Sequence, residues 1–149
     1  MARSGIYSIY KKIGQAQFSL IPPTRDPEKG FVVRDGAIFI EAAPGMNGGK
    51  EWDWNKKIRF SLGLNDIAIL LEDLDNPKKL IHKIEESNIL KSLEFTPGQG
   101  NYEGTYMMKL THKAEDTNLM VSVPLSSGEF QILVSMMKSS LPYMVGWLS

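Results

Sequence analysis

The sequence predicts an α+β fold built from four strands and a helix, used twice: ββββα–ββββα. Three observations carry this expectation. Apolar and polar residues alternate with period two in short segments along the chain. Asp-Gly, Pro-Gly and Gly-rich stretches punctuate those segments. Twice the apolar spacing changes to helical, each time after a run of strands. The repeat lies in the order of elements and not in residue identity.

The first strand is expected from Gly14 to Pro22, where Ala16, Phe18 and Leu20 alternate with Gln15, Gln17 and Ser19. Pro22–Pro23 ends it. Phe31–Arg34 and Ala37–Ala43 flank Asp35–Gly36, which reads as a hairpin. Pro44 to Lys50 is a loop. Glu51 to Leu62 alternates most cleanly. Trp52, Trp54, Ile58, Phe60 and Leu62 share an expected core face, and Lys57 and Arg59 lie on the exposed one. A helix follows, with Asn65 as N-cap and Ile67, Leu70, Leu71 and Leu74 at helical spacing, ending near Asn76–Pro77.

The second set of strands is expected at Lys79–Ile84, Leu90–Thr96, Tyr102–Lys113 and Asn118–Leu125, with a turn at Pro97–Gly100. Ser126 and Glu129 form the S-x-x-E capping box of a second helix. Its apolar stripe is Phe130, Leu133, Val134, Met137 and Leu141. Pro142 is expected to kink or break it. The apolar stretch that follows suits a core or a subunit interface.

At 149 residues and 16.7 kDa the chain fits a single domain, 1–149, with residues 1–13 as an N-terminal arm. Its 42% hydrophobic and 23% charged content is ordinary for a folded domain. The absence of cysteine removes disulfide scaffolds, zinc–cysteine sites and thiol chemistry. No apolar run approaches the ~20 residues of a membrane span. Met1 to Lys12 lacks the apolar core of a signal peptide. The expectation is a cytoplasmic or nucleoid protein, or the mature form of an organellar one.

No catalytic constellation emerges. Gly45–Lys50 is not a phosphate loop, because the leading glycine is missing and Glu51 stands where Ser or Thr must ligate magnesium. His82 and His112 lie in separate strand-like segments, and no paired carboxylates stand out. The chain is therefore read as a non-enzyme with no cofactor and no metal.

What remains is aromatic residues interleaved with cations and amides on strands. Net charge is zero, but residues 1–60 carry ten Lys/Arg against six Asp/Glu, a net +4. The remainder carries seven against eleven, a net −4. Tyr7, Tyr10, Lys11, Lys12, Gln15 and Gln17 lie on or before the first strand, and Trp52, Trp54, Lys56, Lys57 and Arg59 on the fourth. Tyr102, Tyr106 and Lys109 lie on a late one. Such strands suit a single-stranded nucleic acid, whose bases stack on rings while cations track phosphates.

Three collinear stretches give the resemblance. Ile13-Gly14-Gln15-Ala16-Gln17-Phe18-Ser19-Leu20 is similar to a K-G-K-A-A-L-S-V signature, with Ile13 and Gln15 in place of its lysines. Ala42-Ala43-Pro44-Gly45, then Trp52-Asp53-Trp54-Asn55-Lys56-Lys57, then Phe60-Ser61-Leu62, is similar to F-A-P … Y-D-W-x-R-K … F-S-L. Pro124 to Phe130, with Leu141-Pro142 through Gly146-Trp147, is similar to P-I-T-x-A-E-F … L-P-x-x-x-G-W. The chain thus resembles the Whirly single-stranded-DNA-binding proteins, and more distantly the kinetoplastid guide-RNA-binding proteins of the same fold. The resemblance implies two packed four-stranded antiparallel sheets with two helices, and a tetramer held by the helices. It also implies single-stranded DNA lying across the sheets at subunit edges, with little sequence preference.

The expected function is single-stranded-DNA binding in replication, recombination or repair. The expected contacts are Tyr10, Lys11, Lys12, Gln15, Gln17, Trp54, Lys56, Lys57 and Arg59. Cations would meet phosphates, rings would stack and amides would reach bases. Two alternatives stand beside this: RNA binding or annealing by the same surface, and a structural oligomer with no nucleic-acid role.

Overall fold

The computed structural model describes residues 5–148. In chain order the elements are β1 (Ile6–Tyr10), β2 (Gly14–Ile21), β3 (Thr24–Arg25), β4 (Val32–Arg34), β5 (Ala37–Met46), β6 (Glu51–Trp52), β7 (Ile58–Leu62) and α1 (Leu64–Glu72). Then come β8 (Lys78–Ile84), β9 (Ile89–Pro97), β10 (Tyr106–Lys113), β11 (Asn118–Leu125) and α2 (Ser127–Met144). The first sheet runs β1-β2-β5-β7, with β6 on the end of β5. The second runs β11-β10-β9-β8. All pairings are antiparallel, so the architecture is the expected α+β arrangement of two four-stranded sheets, each followed by a helix.

Alternation sorts each strand into a core face and an outer face. In the first sheet Ile9, Ala16, Phe18, Ile38, Ile40, Ala42, Ile58, Phe60 and Leu62 point inward and are buried. Leu80, Leu93, Phe95, Met108, Leu110, Val121 and Val123 answer from the second. Apart from Ala16 and Ala42, each such side chain contributes ~1.5–3 kcal/mol on burial. β7 lies against β9, β10 and β11 in turn, so the sheets cross. At Gly14 the layers approach so closely that a Cβ would stand 2.6 Å from the Ser122 carbonyl oxygen. Only glycine fits there.

α2 starts as the sequence predicts. Ser126 Oγ accepts the Glu129 N–H, and the Glu129 carboxylate accepts the Ser126 N–H. Phe130, Leu133, Val134, Met137 and Met144 are buried against the sheets. Phe130 stacks on Tyr106 with ring centroids 3.6 Å apart. The expected break at Pro142 does not interrupt α2, which continues to Met144. The bond lost at Pro142 therefore falls in the final turn.

Within the expected N-terminal arm, Ile6–Tyr10 forms an edge strand paired with β2, and residues 1–4 of that arm lie outside the described residues. Three local expectations are corrected. Asp35–Gly36 does not join a hairpin, because β4 pairs with β3 while β5 pairs with β2 and β7. Gly36 is instead buried against the Ile21 carbonyl, and its N–H donates to Met144 O at 2.8 Å. Glu51–Leu62 is not one strand. Asp53 accepts the Asn55 N–H and caps a 3-10 turn, Trp54–Lys56, that separates β6 from β7. Finally, α1 is capped from Gly63, whose N–H donates to Asp66 Oδ2, and it ends at Glu72.

The β3–β4 ribbon clasps the end of α2. Arg25 donates to Gly30 O and to Gly146 O, both at 2.8 Å.

Candidate nucleic-acid interface

The outer face of the first sheet is built from three cross-strand rows. They are Tyr10–Gln15–Ala43, Ser8–Gln17–Glu41–Arg59 and Ile6–Ser19–Phe39–Ser61. Gln15 and Gln17 share this face because they alternate with the core residues Ala16 and Phe18. At one end of the face β6 turns back over it. Trp52 packs on Tyr10 with centroids 5.3 Å apart, and its Nε1–H donates to Lys11 O at 2.9 Å.

The nine expected contacts divide into three groups. Tyr10, Lys12, Trp54, Lys56, Lys57 and Arg59 are exposed, and Gln17 is half-buried. Among the described residues, Lys12 and Lys56 have no ion-pair partner. Glu41 positions the next pair, with Lys57 Nζ at 3.0 Å and the Arg59 guanidinium at 3.8 Å. Arg59 also lies 4.7 Å over the Phe39 ring. The last two are committed to structure. Gln15 is 3% exposed, in the row that Tyr10 and Trp52 close over. Lys11 Nζ lies 2.8 Å from Glu129 Oε1, in the cap of α2.

Trp54 departs from the core face assigned by alternation. The 3-10 turn leaves it 37% exposed, beside Lys56. Aromatic surface and cations thus stand together at the Tyr10–Trp52 end.

Sequence reasoning missed a second line of charge. Arg59 continues into Lys91 and His112 where the inner face of the second sheet opens to solvent. Lys91 Nζ donates to Arg59 O at 3.0 Å, and Lys91 pairs with His112 across β9 and β10. Burial, and then the Arg59 charge, push the Lys91 ammonium below the ordinary lysine value. Burial, and then the Lys91 charge, lower His112. Lys91 is thus an incompletely hydrated cation that an anion would relieve, while the downward shift keeps the His112 imidazole neutral near pH 7. Only the strand register could reveal this line. His82 is placed otherwise: it stacks on Phe60 at 4.2 Å and bonds Asp66 Oδ2 at 3.0 Å.

Residues 9–136 match the model of the Whirly transcription factor family. The chain belongs to the Whirly family. It is 29% identical over 161 residues to the chloroplastic single-stranded DNA-binding protein WHY1 of Arabidopsis thaliana, covering 95% of this chain and 57% of that protein. Against WHY1 of Zea mays it is 26% identical over 152 residues, covering 95% and 56%. The chain spans a little over half the length of these curated relatives. The crystal structure of Arabidopsis WHY1 superposes with a TM-score of 0.87 at 22% identity, covering 99% of this chain and 88% of that one. The trypanosomal MRP1/MRP2 structure gives 0.62 at 13% identity, covering 97% and 88%. The Whirly fold and its distant kinetoplastid relation, expected from three short stretches, are both found. No helix among the described residues is long and apolar enough to cross a membrane.

Proposed function

We propose that this Whirly chain binds single-stranded DNA, with little sequence preference, across the outer face of its first sheet and the Tyr10–Trp52 end. One observation carries the reading. Exposed Tyr10 and Trp54 share that end with Lys12 and Lys56, which have no ion-pair partner among the described residues. Bases with open faces stack on such rings at ~1–3 kcal/mol each, and phosphates follow the cations. A duplex buries its base faces and gains only the charge contacts. The names of the chloroplastic relatives as single-stranded DNA-binding proteins support the same reading.

Holding strands unpaired suits replication, recombination or repair, and a nucleoid is the expected location. The working form is a homo-oligomer, a tetramer, joined through α2. Ile132, Met136 and Tyr143 are exposed on that helix, and Met136 and Tyr143 line an apolar groove with Leu20 and Ile38. Exposed apolar surface of this kind favours association.

Fluorescence anisotropy with labelled oligo-dT of about 30 nucleotides, long enough for several sites, tests the reading. Tight binding that weakens with salt, and that exceeds binding to the matched duplex, is the expected result. Preference for matched RNA would move the assignment to RNA. No binding to either single strand at low salt would overturn it.

A further inference from the structure

The Tyr10–Trp52 end continues into a cleft in which Lys11 alone of the nine expected contacts lies. Its volume is about 490 Å³, within the ~300–1,000 Å³ of small-molecule sites. Lys11 lies on its wall, and the same Lys11 accepts the Trp52 indole N–H through its carbonyl. The cleft and the stacked pair therefore share a residue. Pro97, Met107 and Pro124 give the cleft apolar walls, and Gln99 adds an amide. Tyr106 adds a ring whose hydroxyl is already spent on Leu74 O at 2.7 Å.

Tyr102 is the unusual member. Its ring is 71% exposed, yet its backbone is held fast in the β9–β10 connection. The Tyr102 N–H donates to Gln99 O at 3.0 Å, and Tyr102 O accepts both the Thr105 N–H at 3.0 Å and the Thr105 hydroxyl at 2.5 Å. The Gly98 N–H closes the loop onto Thr105 O at 2.8 Å. A large ring in water on a fixed loop gains nothing for the fold. It offers an open face to a flat partner on a loop whose backbone is already hydrogen-bonded, so little backbone freedom remains to be lost on contact.

We infer that this cleft is a nucleobase pocket, in which one base of the bound single strand leaves the outer face at Lys11 and stacks on Tyr102. The inference rests on the proposed single-strand binding and extends it to a site on the second sheet. The occupant is a base and not a free metabolite, because the cleft is continuous with the Tyr10–Trp52 end through Lys11. The chemistry is base-general. Apolar walls and one ring accept any base face, and the Gln99 amide meets whichever edge is presented.

The test compares Tyr102→Ala, Tyr102→Phe and Thr96→Trp with the unaltered protein. Thr96 is an exposed position on the cleft, where indole would fill the space. Each binds oligo-dT and a matched strand of abasic residues. Tyr102→Ala and Thr96→Trp are expected to weaken oligo-dT binding about tenfold, or ~1.4 kcal/mol, and to leave abasic binding and the salt slope unchanged. Tyr102→Phe is expected to bind as the parent does. Equal losses on both strands, or none, would overturn the pocket while single-strand binding stands. Failure of the unaltered protein to bind oligo-dT would overturn both.

Discussion

Lys11 Nζ lies 2.8 Å from Glu129 Oε1, tying the β1–β2 turn to the first turn of α2. The same carboxylate accepts the Ser126 N–H. One glutamate thus caps the helix and fixes the turn that carries Tyr10 and Lys12. The end proposed to bind single strands is held in place by the start of the helix proposed to join subunits.

This tie predicts an acid-sensitive stability. Burial raises the Glu129 carboxyl, but bonds from Lys11 and Ser126 outweigh it and hold the group below the usual glutamate value. A depressed carboxylate stabilises above its unfolded value and loses that contribution as pH falls through its folded value. Glu129→Gln keeps an acceptor for the Ser126 N–H but loses the charge facing Lys11, and is expected to cost up to ~1 kcal/mol at pH 7. The gap from the parent in urea melts should be present at pH 7 and close in acid below the usual carboxylate range. A gap that is the same at both pH values would refute the tie.

The cations divide by partner. Lys57→Ala and Arg59→Ala should each weaken oligo-dT binding and lower the salt slope by ~0.7, one phosphate contact. Glu41→Gln should tighten binding, because Glu41 is the carboxylate beside both cations. Titrations at several salt concentrations measure all three. A Glu41→Gln protein that binds more weakly would refute this division.

The two tryptophans predict different phenotypes. Trp52→Phe loses the bond to Lys11 O and should cost ~1 kcal/mol of stability. Trp54→Ala removes a ring that is 37% exposed, so affinity for single strands should fall, alongside a stability cost from the covered part of the ring. Urea melts beside anisotropy separate the two.

For the oligomer, Met136→Glu places a charge in the apolar groove beside α2. It is expected to shift the sedimentation coefficient to that of a smaller species while the circular dichroism of the fold is kept. An unchanged coefficient would move the interface elsewhere.

Local chemistry made much of the fold legible. β11 was expected at Asn118–Leu125 and lies there, because eight residues alternate between two plain boundaries. The capping box was readable because its two bonds join residues three apart. What failed was decided at long range. Gln15 alternates like a surface residue but is buried, because Tyr10 and Trp52 close over its row. Asp35–Gly36 has the form of a hairpin turn, yet its glycine is required by the packing of Ile21 and Met144. Trp54 and Lys57 alternate like strand residues, and Asp53 turns the chain between β6 and β7. For the proposed site, the sequence names residue types alone. Which cations were free and which were tied, as Lys11 is to Glu129, depended on contacts across the whole chain.

The hydrogen bond from Arg25 to Gly146 O joins groups 121 positions apart. Ordering so much intervening chain must precede any gain from this contact, so it belongs to the last stage of folding. A contact absent from the transition state changes the escape rate from the native state and not the rate of reaching it. Arg25→Ala should steepen decay in unfolding kinetics and leave refolding untouched. The clasp is then one of the contacts that lengthen the time the folded molecule lasts between openings.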